Sequence, residues 1–140
     1  MGDGSPVAFH AVIKAFKEVA HLGINQNIVF PDIMLNLGGG YHNQHGVFIA
    51  PQPGVYLFST SIMSYVGTHS DIWVHLEKNG NILANAYGHG DSGRHDQGSV
   101  TVVAQLVAGD EVWVRLGGPA DASLWGDGND SFMGLLVNPL

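Results

Sequence analysis

Apolar and polar residues alternate with a period of two through most of the chain after residue 55. The positions that share one face in these segments are Tyr56, Phe58, Thr60 and Ile62; Ile72, Val74 and Leu76; Val100, Val102, Ala104 and Leu106; Val112, Val114 and Leu116; and Phe132, Gly134 and Leu136. Such alternation is typical of β-strands that bury one face. The sequence therefore predicts a domain built from strands.

Turn-forming residues separate these segments. Asn79-Gly80 lies between two apolar runs and predicts a tight hairpin, because both residues tolerate positive φ. Further turn signals occur at residues 53–54, 109–110, 117–119 and 126–129. Many short strands at this spacing, with no convincing helix after residue 22, predict an all-β sandwich or jelly roll.

The segment from residue 8 to residue 21 allows two interpretations. Its apolar residues follow helical spacing, and the Ala, Lys and Glu residues between them favour a helix. These apolar residues are Phe9, Val12, Ile13, Phe16, Val19 and Ala20. Local sequence alone leaves an amphipathic helix and a strand open here.

Composition restricts the class of partner. The chain has 140 residues, 45% of them apolar, which predicts one folded domain over residues 7–140 after a flexible leader at 1–6. The chain contains five basic and 12 acidic residues, which gives a net charge of −7, and the basic residues are scattered along the sequence. Nucleic acid and anionic membrane surfaces are therefore not expected as partners, because both require clustered Lys and Arg.

Cysteine is absent, which excludes disulfides, zinc–thiolate sites and a thiol nucleophile. No apolar run approaches the roughly 18 residues that a bilayer-spanning helix needs, so membrane insertion is not expected. No signal peptide is visible in the sequence. No nucleophile elbow, zincin helix or phosphate-binding loop is present either, and enzymatic turnover is not expected.

Seven positions across residues 30–58 have the spacing of a known domain signature. They are Phe30, Asn36, Tyr41, Phe48, Gly54, Tyr56 and Phe58. With them the chain resembles the C1q globular domain family of the C1q and tumour-necrosis-factor superfamily, and it departs at Thr60, where an aromatic residue is expected. Segments 7–11, 106–114 and 131–136 are also similar to strands of that family, so the resemblance covers nearly all of residues 7–137.

The resemblance implies a ten-stranded jelly roll that forms homotrimers, is secreted, and binds ligands instead of catalysing a reaction. It favours a strand over a helix from residue 7 to about residue 14. Because first and last strands line the trimer axis in this family, Phe9, Phe132 and Leu136 are candidates for the interface. The alternative is that they belong to the core of their own subunit, which is also the place expected for Trp113.

The first candidate ligand-binding segment is residues 88–98, which contain no apolar side chain and are predicted to form a solvated loop. Its imidazole and carboxylate groups could chelate a metal ion or contact a ligand, although their spacing matches no defined metal site. A plain flexible loop is the alternative. The candidate residues are His89, Asp91, Arg94, His95 and Asp96.

The second candidate segment is residues 121–130, where Trp125 is flanked by carboxylate and amide side chains. An aromatic ring can cover the apolar face of a sugar while oxygens meet its hydroxyls. Asp127, Asn129 and Asp130 are oxygen ligands of the kind that Ca²⁺ prefers, so calcium is a possible cofactor. A structural turn, with Trp125 packed on its own sandwich or on a neighbouring subunit, is the alternative.

Two functions follow from the resemblance and these segments. The first is a secreted, trimeric pattern-recognition protein of the lectin type, which binds microbial or cellular glycans in innate immunity with the avidity of three copies. The second is a trimer that binds protein ligands or acts as a scaffold, without specificity for carbohydrate.

Overall fold

The computed structural model describes residues 4–65, 71–90 and 94–140. In these residues the chain forms strands and no helix, and therefore no helix with the length and apolar character to cross a membrane. The strands are β1 (Ala8–Val12), β2 (Glu18–Leu22), β3 (Asp32–Leu37), β4 (Tyr41–His42), β5 (Val47–Ile49), β6 (Gly54–Met63), β7 (Asp71–Lys78), β8 (Asn81–His89), β9 (Gln97–Leu106), β10 (Glu111–Gly118), β11 (Ala122–Trp125) and β12 (Ser131–Pro139).

Ten of these strands form two five-stranded antiparallel sheets. The first sheet has the order β3-β1-β12-β6-β9 and the second the order β4-β5-β10-β7-β8, while β11 and β2 form a separate ribbon. Sequential strands lie in different sheets at several points, which is the connectivity of a jelly roll. The predicted all-β, ten-stranded sandwich is confirmed, with the ribbon as an addition.

On β6, β7, β9, β10 and β12 the period of two correctly groups the residues that share a face. Tyr56, Phe58, Thr60 and Ile62 are all fully buried on β6. The hairpin between β7 and β8 turns at Asn79 and Gly80, whose φ values are +51° and +88°. Both central residues therefore adopt the left-handed conformation that this type of turn requires.

The helix considered for residues 8–21 does not form. β1 and β2 occupy most of this segment, and the buried positions on β1 and beside it follow strand alternation, with Phe9 and Ala11 facing the core. Phe16, which belonged to the apolar face of the helix, lies between the two strands and is 76% exposed. Pairing of β1 with two neighbouring strands outweighs the local helix propensity.

The centre of the core is a group of stacked aromatic rings from both sheets. Phe9 of β1 stacks on Tyr41 at 5.0 Å and on Phe48 at 4.9 Å, and meets Phe132 edge-on at 4.8 Å. Phe9 and Phe132 are 2% and 0% exposed, and Leu136 packs against the same core. The side chains of Phe9 and Phe132 therefore lie in the core of their own subunit, which is the alternative considered for them. Leu136 is only partly buried, and its place at a trimer interface stays a prediction.

Hydrogen bonds fix the signature residues around this core. The side chain of Asn36 bridges the backbone of Tyr41, with its amide donating to the carbonyl at 3.0 Å and its oxygen accepting from N–H at 3.1 Å. The Tyr41 hydroxyl donates to the Phe30 carbonyl at 2.7 Å. Thr60, at the position where an aromatic residue was expected, is buried and donates to the Ser131 carbonyl at 2.8 Å. The departure from the signature is thus compensated by a hydrogen bond.

Trp113 lies outside the core, contrary to expectation. It is half-buried on the outer face of the second sheet, and its Nε1 donates to Oε1 of Glu77 at 3.0 Å. Glu77 is fully buried and pairs with Arg115. Trp113 therefore helps to satisfy a buried carboxylate, which would be costly without hydrogen bonds and a counter-charge.

Replacement of Gly134 by Ala tests the packing of the ring group. A Cβ at residue 134 would lie 2.6 Å from the Phe58 ring and 2.7 Å from the Phe9 ring. We expect Gly134→Ala to lower the free energy of unfolding by about 1–3 kcal/mol through overpacking, measured by urea denaturation. Gly23→Ala is the matched control, because the nearest atom to its Cβ is 3.6 Å away. Equal stability of the two variants would contradict this account of the core.

Candidate functional site

Trp125 lies at the centre of a cluster of rings at one end of the sandwich. His95 stacks on it with ring centroids 5.2 Å apart and an interplanar angle of 6°. Tyr65 is tilted against it at 5.7 Å, and Phe16 meets it edge-on at 4.9 Å. We call these four residues, Phe16, Tyr65, His95 and Trp125, the end cluster. Phe16 and His95 are exposed, while Tyr65 and Trp125 are half-buried.

Backbone hydrogen bonds hold Phe16 beside Trp125. β11 pairs with β2, and the turn that follows β11 continues this contact through Gly126 N–H to the Lys17 carbonyl at 3.0 Å and Asp127 N–H to the Ala15 carbonyl at 2.8 Å. Gly126 allows this approach, since a Cβ there would collide with the Ala15 carbonyl oxygen. The exposed carboxylate of Asp127 therefore belongs to a turn adjacent to the Phe16 ring.

His95 is positioned by the end of β6. Its Nδ1 lies 3.0 Å from the carbonyl oxygen of Ser64, and the backbone of Ser64 donates to the Asp96 carbonyl at 2.7 Å. Asp96 N–H donates in turn to the Ser64 hydroxyl oxygen at 3.1 Å. These bonds anchor residues 95–96 to the end of β6 and place the imidazole against the indole.

The structure brings together only part of the first candidate segment. His95 joins the end cluster, whereas His89 lies on β8 and pairs through Nδ1 with Asp71 of β7. The Asp96 carboxylate accepts a hydrogen bond from the His89 backbone at 2.7 Å, which is a structural contact. Arg94 is exposed, and Asp91 lies outside the described residues.

The three residues predicted to bind calcium differ in their surroundings. Asp130 is fully buried and its Oδ1 accepts a hydrogen bond from Met63 N–H at 2.7 Å. The Asn129 amide donates to the Gly126 carbonyl at 2.8 Å, and Asp127 is exposed. In residues 4–65, 71–90 and 94–140 no group of three or more His, Asp or Glu side chains is placed to hold a metal ion. Asp130 therefore lies in the interior while Asp127 lies at the surface, and the calcium site stays a prediction.

An open cleft of about 630 Å³ lies beside the end cluster. It runs along the segment that carries Phe16, and its charged lining consists of Lys14, Lys17, Glu18 and Asp32. Two of the five basic residues of the chain therefore face one concavity. Sequence reasoning missed Lys14, Lys17, Phe16 and Tyr65 as site residues, because they lie far in sequence from the two candidate segments. The helical interpretation placed Phe16 on a buried apolar face, so it gave no indication that this ring is exposed.

The comparison with protein families identifies the fold family directly. The model of the C1q domain matches residues 8–137, which is nearly the whole chain. This chain belongs to the C1q domain family. The aromatic signature read from residues 30–58 is therefore confirmed as a mark of that family.

Curated relatives of this C1q domain are longer proteins. The chain is 35% identical over 115 residues to complement C1q tumor necrosis factor-related protein 3 of Mus musculus, which covers 81% of the chain and 45% of that relative. It is 32% identical over 139 residues to the collagen alpha-1(X) chain of Mus musculus, covering 98% of the chain and 20% of the relative. The chain thus spans less than half the length of these relatives.

Solved structures agree on the fold. The globular domain of the zebrafish complement 1qA protein superposes with a TM-score of 0.77 at 18% identity, covering 96% of this chain and 99% of that one. An Eiger TNF from S. frugiperda gives a TM-score of 0.74 at 18% identity, covering 94% and 92%. At these identities the likeness shows the C1q and TNF type of jelly roll and nothing further.

The outward face of the first sheet of this C1q domain carries a continuous apolar row. One residue from each of the five strands contributes, and each stands opposite the next across the ladder. The row, which we call the apolar belt, is Leu37, Ala8, Leu135, Leu57 and Val103. Leu37 is 43% and Val103 60% exposed, and the other three are half-buried. An apolar row across a whole sheet marks a surface suited to association.

Asp130 predicts a pH dependence of stability. Burial raises the pKa of its carboxyl to about 7, and Oδ2 has no hydrogen-bond partner among the residues that the structure describes. An unfolded Asp ionises near 3.8, so between about pH 4 and 7 the folded protein keeps a proton that the unfolded chain has lost. The free energy of unfolding therefore falls as pH rises through this window.

Comparison with Asp130→Asn isolates this effect, because the amide has no proton to lose. We expect the unfolding free energy of the wild type, relative to the variant, to fall by up to about 4 kcal/mol between pH 4 and pH 8. Urea denaturation at each pH measures it. Parallel pH profiles of the two proteins would show that Asp130 does not titrate in this range.

Proposed function

We propose that this C1q domain works as a secreted homotrimer that recognises microbial or cellular glycans in innate immunity, without catalysing a reaction. The observation that supports self-association is the apolar belt, which runs across all five strands of the first sheet. The observation that supports glycan recognition is the end cluster, where exposed rings lie next to carboxylates and an open cleft.

Association through the belt accounts for residues that are otherwise unfavourably exposed. Leu37 and Val103 contact water at the two edge strands of the sheet, although the opposite face of that sheet is a dense core. Burying the belt against copies of the same chain removes this apolar surface from water. Three copies would then present three identical ligand sites, and simultaneous binding raises the apparent affinity for a repetitive surface.

Val103→Asp tests the belt. Because Val103 is 60% exposed in the isolated subunit, the substitution leaves the fold intact but places a charge in the proposed interface. We expect light scattering with size exclusion to show a trimer for the wild type and a monomer for Val103→Asp at about 10–50 μM. Ile82→Asp is the matched control, because Ile82 is 52% exposed on the other sheet and should leave the trimer unchanged. A monomeric wild type would refute the proposal.

The end cluster has the composition of a site for sugars. The Phe16 ring is 76% exposed and presents an apolar surface, while Asp127 and the lysines of the cleft supply acceptors and donors for hydroxyl groups. Packing of Trp125 against Tyr65 and His95 holds the site in place before a ligand arrives, which lowers the entropic cost of binding. Trp125 can pack in a structural turn and still contribute to ligand binding. It supports Phe16, and the Phe16 ring is the one that is exposed to a ligand.

Phe16→Ala tests glycan recognition with little risk to the fold. We propose to measure binding of the wild type and this variant to an array of microbial and cellular glycans, with Ca²⁺ and with EDTA. We expect discrete hits for the wild type and about tenfold weaker binding for Phe16→Ala. Val107→Ala, at a position that is 60% exposed in a distant turn, is the control.

The outcomes of the array separate the remaining alternatives. Loss of binding in EDTA would support calcium, with Asp127 as the exposed carboxylate of its loop. Equal binding in both buffers would support recognition by the side chains alone. A blank array for a folded, trimeric protein would overturn the glycan proposal and favour the alternative, a trimer that binds protein ligands or serves as a scaffold.

A further inference from the structure

The outer face of the second sheet carries a row of cross-strand pairs that no function described so far uses. Strands β7 and β8 place Trp73 opposite Tyr87, with His75–Asn85 on one side of this pair and Asp71–His89 on the other. These six residues alternate with the buried residues of the same strands, so all of them lie on the outward face. We call them the outer platform.

Aromatic rings form the middle of the outer platform. The ring centroids of Trp73 and Tyr87 are 6.2 Å apart, and Tyr87 stacks on His89 at 6.2 Å with an angle of 10°. Trp73 is 37% and Tyr87 52% exposed. Two large rings side by side on a rigid sheet leave apolar surface in contact with water that the subunit itself does not cover.

Glycines on the neighbouring strand β10 support the Trp73 ring from below. A Cβ at Gly117 would lie 2.5 Å from Cδ1 of Trp73 and 2.6 Å from Nε2 of His75. A Cβ at Gly118 would lie 2.6 Å from Cζ2 of the same indole. The indole therefore lies directly over two glycines, and its exposed surface faces away from the sheet. Any side chain at residue 117 would displace it.

The polar groups of the platform are held in fixed orientations and compensate one another. Nδ1 of His75 lies 2.5 Å from Oδ1 of Asn85, and Nδ1 of His89 pairs with the Asp71 carboxylate. The Nε2 atoms of both imidazoles and the Asn85 amide nitrogen remain as hydrogen-bonding groups. The charge of Asp71 is compensated only when His89 is protonated, and none of the six residues is a Lys or Arg, so the platform disfavours anionic ligands.

We propose that the outer platform is a second binding site, for neutral oligosaccharides. Trp73 and Tyr87 cover the apolar faces of sugar rings, and the His75–Asn85 and His89–Asp71 pairs bond hydroxyl groups at either end. The row extends over five strand residues from Asp71 to His75, a rise of about 13 Å, which accommodates two to three sugar units. This site is separate from the end cluster, although it takes the ligand class of the proposed function.

The experiment measures binding of neutral gluco-, manno- and galacto-oligosaccharides of four to six units by isothermal titration calorimetry. We expect Trp73→Ala and Tyr87→Ala each to weaken binding about tenfold. Gly117→Ala should weaken it by a similar factor while it keeps every ring, because it displaces Trp73. Ile82→Ala, on the same strand as Tyr87, is the control, and circular dichroism confirms that each variant is folded.

The two sites are distinguished by crossing these variants with Phe16→Ala. If Trp73→Ala loses binding of a sugar and Phe16→Ala keeps it, the result would support the platform and overturn the end cluster as the site for that sugar. The reverse pattern would overturn the platform and leave the proposed function intact. Failure of the wild type to bind any of these sugars would overturn the platform. Self-association is tested independently, by the oligomeric state measured with light scattering.

Discussion

Phe9 contacts rings from both sheets, and the remainder of the fold depends on this contact. Phe9 and Phe132 belong to the first sheet, while Tyr41 and Phe48 belong to the second. Stacked and edge-on aromatic pairs add to the large area that each ring removes from water. For Phe9 to reach this position, β1 must keep one register against β12 and β3, and that register fixes which residues of the first sheet face outward.

The same register explains how much of the fold could be predicted. Alternation in the sequence identifies strands β6, β7, β9, β10 and β12 and the residues that share a face, but it does not say which face meets the other sheet. For Phe9 and Phe132 the sequence left both the interface and the subunit core open; in the structure they lie on the core side of their strands, while Ala8 and Leu135 lie on the outward face. A shift of one residue in strand register exchanges the core-facing and outward-facing residues. The buried face of a strand can therefore be assigned only when the sheet packed against it is known.

Prediction of the candidate site from the sequence was limited for a different reason. Trp125 and His95 were singled out from two polar segments, and they do stack on each other. Phe16 and Tyr65 could not be found this way, because they reach Trp125 through the β2–β11 ribbon and the end of β6. The burial of Asp130 could not be predicted from the sequence for a related reason. The segment that contains it has the composition of a calcium loop, but the backbone N–H of Met63, distant in sequence, donates to the Asp130 carboxylate in the interior.

The pairing of β1 with β12 determines how the domain responds to mechanical load. Ala8 pairs with Leu135, and Leu136 N–H donates to the Val7 carbonyl at 2.9 Å, so the chain enters and leaves the sandwich side by side. A force applied between the two ends would peel these strands apart one hydrogen-bonded pair after another. Tension between the entering chain and a ligand held on the second sheet instead loads the ring group that joins the sheets. If the domain is anchored at one end and bound to a surface through its second sheet, a pulling force therefore acts on the contacts of the whole core.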